Sequence, residues 1–243
     1  MKEHLLKGYQ KDLSTVFETS LVDGVSAIHM FSPIIIRQDL ENQLSDNSPV
    51  RQGASAAASP ILHHSGKVEQ IQSYRDIFFK DGQLQRNIVL LGEACVGKTT
   101  FCNHIVNLWC IVHTDDCQRD LTENDQALVG VLKEFEYVFV VRCRDTKDQT
   151  SVLRMIKEMF CSGEDKIHKD NIFCYKSKQC LVIIDGLDEW LYTSSVGRGK
   201  NSLHVLPDCT NIRGATVLMT SRPWKVEALP HNSLLDYRVL QLE

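Results

Sequence analysis

Three short stretches hold the residues whose types and spacing suit chemistry. The first, GEACVGKTT at 92–100, fits G-x-x-x-x-G-K-[ST] at Gly92, Gly97, Lys98 and Thr99. Glycines let a loop wrap closely, so that successive backbone N–H groups point into one anion-sized concavity. A helix that begins at the lysine adds its positive N-terminal end. In such a P-loop Glu93, Ala94, Cys95, Val96 and Thr100 complete the cradle, Lys98 reaches the β- and γ-phosphates of ATP, and the Thr99 hydroxyl ligates Mg²⁺. Cys95 reads as a small side chain filling a loop position; the alternative is a thiol activated by the helix N-terminus.

The second stretch, CLVIIDGLDEW, puts Asp185 directly after four apolar residues, at the carboxyl end of a buried strand. A carboxylate there can hold the Mg²⁺ water shell opposite Thr99, since open α/β sheets carry their ligands at those strand ends. Asp188 and Glu189 follow within one turn, close enough for one of them to orient or deprotonate an attacking water. The structural alternatives are a solvated turn or a helix N-cap at Asp185. The third stretch, ATVLMTSRPW, ends another buried strand with Arg222, which can contact the γ-phosphate or be a surface arginine stopped by Pro223.

These groups need a scaffold, and the hydrophobic pattern supplies one. From Asn87 onward apolar runs alternate with amphipathic segments, the signature of a parallel α/β sheet. Strands are expected at 88–91, 137–141, 181–184, 216–219 and 237–242, with helices at 98–112 and about 149–160. In the first helix Phe101, Ile105, Leu108, Trp109 and Val112 form the inward stripe. Upstream, residues 2–18 read as a helix with Leu5, Leu6, Tyr9, Leu13, Val16 and Phe17 on one face, and 34–36 as a short strand after Pro33. Residues 46–65 are small and polar with two prolines and read as a flexible connector; residues 68–79 read as helical again. The division that follows is a helical and extended segment at 1–44, a linker at 45–67 and a nucleotide-binding domain at 68–243. His63 and His64 fall in the connector without a partner at metal spacing, and Trp190 and Trp224 are expected to pack.

Composition narrows the class. A net charge of −4 and a pI near 6.1 exclude the clustered basic excess of a nucleic-acid binder. The nine cysteines contain no C-x-x-C pair and are odd in number, which argues for reduced thiols in the cytoplasm over a zinc site or disulfide framework. No apolar run reaches the roughly 20 residues that span a bilayer.

Taken in order, GEACVGKTT, LVIIDGLDEW and VLMTSRPW resemble the NACHT family of P-loop signalling NTPases, the STAND class found in NOD-like receptors. The D-G-L-D-E stretch is the most specific of the three, and VVRCRDTKDQTSVLRMI resembles the segment that joins the first two in that family. The resemblance covers about residues 72–243. It implies a three-layer P-loop α/β sandwich with a parallel sheet of strand order 5-1-4-3-2, the Arg222 strand lying between the P-loop and Asp185 strands. It also implies an ATP/ADP switch that signals, often in innate immunity or cell death, through NACHT–NACHT oligomerisation. The helical and winged-helix domains that follow the core in the family are not present before Glu243, so a fragment or a short form is expected, with weaker nucleotide binding. Slow or absent hydrolysis is the leading expectation. A non-turnover module that joins or blocks larger NACHT receptors is the alternative, and a metabolic kinase or ATPase lacks a recognisable second-substrate segment.

Overall fold

Runs such as Ile-Val-Leu-Leu at 88–91 and Leu-Val-Ile-Ile at 181–184 offer water no polar face, so both sides of each strand must be covered. The computed structural model describes residues 1–18, 35–39, 68–114, 121–146, 149–160, 179–190, 206–230 and 233–243. In chain order the elements are α1 (Lys2–Glu18), β1 (Ile36–Asp39), β2 (Val68–Gln70), α2 (Arg75–Phe78), β3 (Phe79–Lys80), β4 (Gln83–Leu84), β5 (Asn87–Leu91), α3 (Lys98–His113), α4 (Glu123–Leu132), β6 (Tyr137–Arg142), α5 (Val152–Phe160), β7 (Cys180–Asp185), β8 (Thr216–Ser221), α6 (Pro223–Glu227) and β9 (Arg238–Leu242).

Seven strands form one sheet in the order β2-β1-β9-β5-β8-β7-β6. From β9 to β6 all neighbours are parallel, whereas β1 runs antiparallel to both β9 and β2. The parallel part, β9-β5-β8-β7-β6, runs in the expected order 5-1-4-3-2, and the expectation of a parallel sheet is corrected by two further antiparallel strands, β1 and β2, which make the whole sheet mixed and seven-stranded. The physical reason is the otherwise open edge of β9. Ile36, 1% exposed, pairs with Leu242, and the Glu243 N–H donates to the Ile35 carbonyl at 3.0 Å.

The opposite edge is closed by a side chain. The Tyr9 hydroxyl on α1 donates to the Val138 carbonyl at 3.1 Å and accepts the Val140 N–H at 3.1 Å. Both are backbone groups of the edge strand β6, which has no strand beyond it among the described residues. Covering an edge in this way hides a row of groups that otherwise invite another chain. Leu5 and Leu6 are buried on the same helix, and the Tyr9 ring meets Trp109 of α3 edge-on at 6.3 Å.

Several local expectations change in the fold. Residues 68–79 are not one helix. Val68–Gln70 pairs with β1, and only Arg75–Phe78 is helical before the β3–β4 hairpin. That hairpin turns on Asp81 (φ 51) and Gly82 (φ 76), and Asp-Gly is the dipeptide that accepts two positive φ angles. Helix α5 starts at Val152 and not near 149. The segment before it is held extended by Asp208, whose N–H donates to the Thr150 carbonyl at 2.7 Å and whose carbonyl accepts from Val152 at 3.0 Å. Trp109 and Trp190 are buried, but Trp224 is 50% exposed and so is not the packed residue expected. The connector at 46–65, with His63 and His64, lies outside the described residues.

Candidate functional site

β8 lies between β5 and β7, all three parallel, with Leu91 beside Ser221 and Ile184 beside Met219. The loop after β5, the acids after β7 and the arginine after β8 therefore emerge at one edge of the sheet. They line an open cleft of about 230 Å³.

The loop forms one wall. Gly92 is buried beneath it, its N–H donating to the Ser221 carbonyl at 3.1 Å. A Cβ on Gly92 would lie 2.7 Å from Val96 Cγ2 and 3.2 Å from the Leu242 carbonyl oxygen, so the close approach of three segments requires glycine. Gly97, at φ 99, is the left-handed residue from which α3 begins. Cys95, also at positive φ, is exposed in the cleft wall with Ala94, Thr99 and Thr100. Lys98 Nζ donates to the carbonyls of Gly92 and Glu93, each at 2.6 Å, and so bridges the loop that it follows. Gly92, Glu93 and Val96 support the loop from outside the cleft lining; the other predicted loop residues face into it.

The acids form the facing wall. Asp185, 7% exposed, closes β7, and Gly186 (φ 78) turns the chain into a 3-10 turn over Leu187–Glu189. The Thr220 hydroxyl donates to Asp185 Oδ1 at 2.7 Å and accepts the Gly186 N–H at 2.9 Å. The Cys102 thiol, from α3, approaches the same Oδ1 at 3.8 Å. Burial, then the charge of Asp185, pushes that thiol well up, so it stays a protonated donor. Asp188 pairs with Arg222 Nε at 2.9 Å, while Glu189 is exposed at the cleft.

The electrostatics agree with the geometry. Burial raises the Cys143 thiol strongly, and Asp185, Asp188 and Glu189 each push it further. Lys225, 2% exposed, is lowered by burial and held up in part by Asp188 and Cys143. A concentrated negative field at a strand end, opposite a loop of backbone donors, suits a divalent cation carried on phosphate oxygens. The described residues contain no cluster of three His, Cys, Asp or Glu that could hold a metal by themselves. One carboxylate and the Thr99 hydroxyl, with phosphates supplying the remaining ligands, is the arrangement the donor set fits.

Thr220, Cys102 and Lys225 were not singled out from the sequence. A threonine in the apolar run VLMTS was the one available signal, because a polar residue on a fully buried strand needs a partner.

The sheet and its edge of loop, acids and arginine define an α/β domain of the P-loop type. Residues 124–243 match the family model of the NACHT domain, which supports a NACHT-type NTPase. The matched stretch contains Asp185, Asp188, Glu189 and Arg222; the loop at 92–100 precedes it and joins it through β5. The chain is also similar to Protein NLRC5 of Mus musculus, with 27% identity over 166 residues. That alignment covers 63% of this chain and 8% of the mouse protein, so the chain spans under a tenth of its relative's length. Among the described residues no helix is long and apolar enough to cross a membrane.

Proposed function

We propose that this domain binds ATP and ADP with Mg²⁺ and works as a conformational signalling switch whose hydrolysis is slow or absent. The observation that carries this reading is the convergence of Lys98, Thr99, Asp185, Glu189 and Arg222 on one cleft. The loop amides and Lys98 bind the phosphates, Thr99 and Asp185 hold the cation, and Arg222 contacts the γ-phosphate. Mg²⁺, when bound, neutralises phosphate charge. Asp188 is already engaged with Arg222, which leaves Glu189 as the carboxylate that orients a water. Residues 68–243 are the nucleotide-binding domain in this reading, with 45–67 as connector and 1–44 as an N-terminal helical and extended segment. Oligomerisation through the domain, in the cytoplasm and in innate-immune or cell-death signalling, follows from the likeness to the NACHT domain and to the mouse protein.

The test is titration of the full chain with a fluorescent ATP analogue and Mg²⁺, alongside Lys98→Ala and Asp185→Ala, with phosphate release followed in the same samples. Binding by the wild type that is lost in Lys98→Ala, with turnover well below one per second, supports the switch. A folded wild type that binds no nucleotide rejects it and favours a module that joins or blocks larger relatives without turnover.

A further inference from the structure

We infer that Thr220 is a positioning residue for the cation-binding carboxylate, acting on Asp185 through its hydroxyl. The inference rests on the nucleotide and Mg²⁺ reading above and extends it to a residue that no motif requires.

The hydroxyl has one proton. Because that proton goes to Asp185 Oδ1, its lone pair is left to accept the Gly186 N–H, so the chain of bonds has one direction: Gly186 N–H to Thr220 hydroxyl to Asp185. The chain starts and ends in the same dipeptide. It therefore fixes both the side-chain rotation of Asp185 and the left-handed turn at Gly186. Thr220 is fully buried on β8 and cannot trade this bond for one to bulk water. With the Cys102 thiol also directed at Oδ1, that oxygen is occupied, and Oδ2 is the one that carries neither bond.

Thr220 is on β8 and Arg222 follows its end. The Thr220 hydroxyl binds Asp185, and Asp188 in turn anchors Arg222. The end of the central strand thus meets two acids at the end of its neighbour, and Thr220 governs the one that meets the cation.

Removing a partner that orients a metal-binding carboxylate weakens metal affinity by about 10-fold or more. Thr220→Val, which keeps the branched shape, is compared with Thr220→Ser, which keeps the hydroxyl, using the full chain. Two quantities are read: nucleotide affinity in EDTA against Mg²⁺, and Mn²⁺ bound to the protein–nucleotide complex by electron paramagnetic resonance. The expected result for Thr220→Val is unchanged affinity in EDTA with Mn²⁺ binding weakened about 10-fold, and near wild-type behaviour for Thr220→Ser. The same comparison in an Asp185→Asn background is expected to show no further loss of Mn²⁺ from Thr220→Val, because the carboxylate it positions is gone. Full Mn²⁺ binding by Thr220→Val, equal losses in Thr220→Val and Thr220→Ser, or an undiminished loss in the Asp185→Asn background overturns the inference. Nucleotide binding by the wild type that ignores Mg²⁺ rejects the cation reading itself, and this inference with it.

Discussion

Asp188 holds Arg222 at two points: its Oδ2 lies 2.9 Å from the guanidinium Nε, and its Oδ1 accepts the Arg222 backbone N–H at 3.3 Å. The second bond sits where β8 gives way to α6, with Pro223 at the first helical position. The Asp188 side chain is 6% exposed and that of Arg222 is 42% exposed, so the acid is a fixed anchor and the arginine a partly solvated arm. On the proposed reading, a phosphate entering the cleft meets a guanidinium that the acid already holds.

That arrangement predicts a defect in discrimination more than in binding. Arg222→Ala is expected to reduce the preference for ATP over ADP by about tenfold, the scale of one charge-assisted hydrogen bond. Asp188→Asn still offers an oxygen to the Arg222 N–H and is expected to change the ratio by no more than about threefold, since a half-solvated ion pair contributes little. Isothermal titration with both nucleotides measures the ratio. An unchanged ratio in Arg222→Ala removes the γ-phosphate role from this residue.

Tyr9 makes the N-terminal helix part of the sheet's stability. Tyr9→Phe keeps the ring against Trp109 but removes the only hydroxyl on that ring, leaving the Val138 carbonyl and Val140 N–H of the edge strand without it. The expected loss is about 1–3 kcal/mol, the cost of unsatisfied buried groups. Urea unfolding of the two proteins gives the difference, and a loss under a few tenths of a kcal/mol would show that the edge is not sealed by this residue.

His104 on the P-loop helix and Asp125 on α4 form a buried pair at 2.7 Å, with side chains 3% and 5% exposed. Burial alone raises the Asp125 carboxyl, but the bonds from His104 and Thr122 outweigh it and hold the group below its ordinary value. A depressed folded value contributes stability above the unfolded value of about 3.9, and that contribution disappears as the pH falls through the folded value. Asp125→Asn is therefore expected to be less stable than wild type near neutrality, by about 3 kcal/mol, and to converge on it in acid. Denaturation midpoints at pH 7, 5 and 3 follow the gap. A gap that stays constant across that range contradicts the assignment.

Two glycines give opposite expectations for the same substitution. At Gly92 a methyl group meets the Leu242 carbonyl at 3.2 Å as well as Val96, and a strand carbonyl cannot swing aside. Gly92→Ala is expected to cost about 1–3 kcal/mol and to weaken nucleotide binding with it. Gly130, inside α4, has nothing within 4 Å of the added carbon. Gly130→Ala is expected to stabilise by about 0.5–1 kcal/mol, from helix propensity, and to leave binding unchanged. Thermal midpoints together with nucleotide titrations separate the two, and a Gly92→Ala protein that binds normally shows that the loop tolerates a wider approach to β9.

Much of the site was legible from local order along the chain. The loop at 92–100 is a single turn of backbone whose glycines and lysine are meaningful at fixed spacing, and the acids at 185–189 follow an apolar run that has to be a buried strand. Such features depend on neighbours a few residues away, and the sequence alone determined them. The alternation of strand and helix from Asn87 likewise marked the sheet, because a parallel strand covered on both faces has no polar alternation to disguise it.

Only the tertiary structure decided what lies far apart in sequence and close in space. Thr220 and Asp185 are 35 positions apart, and Tyr9 and Val138 are 129 apart. Neither pairing has a periodicity to announce it. The same holds for β1 and β2: the sequence marks a short strand at 34–36, but only the fold shows β1 over Ile36–Asp39 pairing with β9, and Val68–Gln70 adding to β1 as β2. Hydrogen-bonding demand at a sheet edge is a property of the assembled fold. It selects partners from whichever segment can reach, and composition along a short stretch carries no record of that choice.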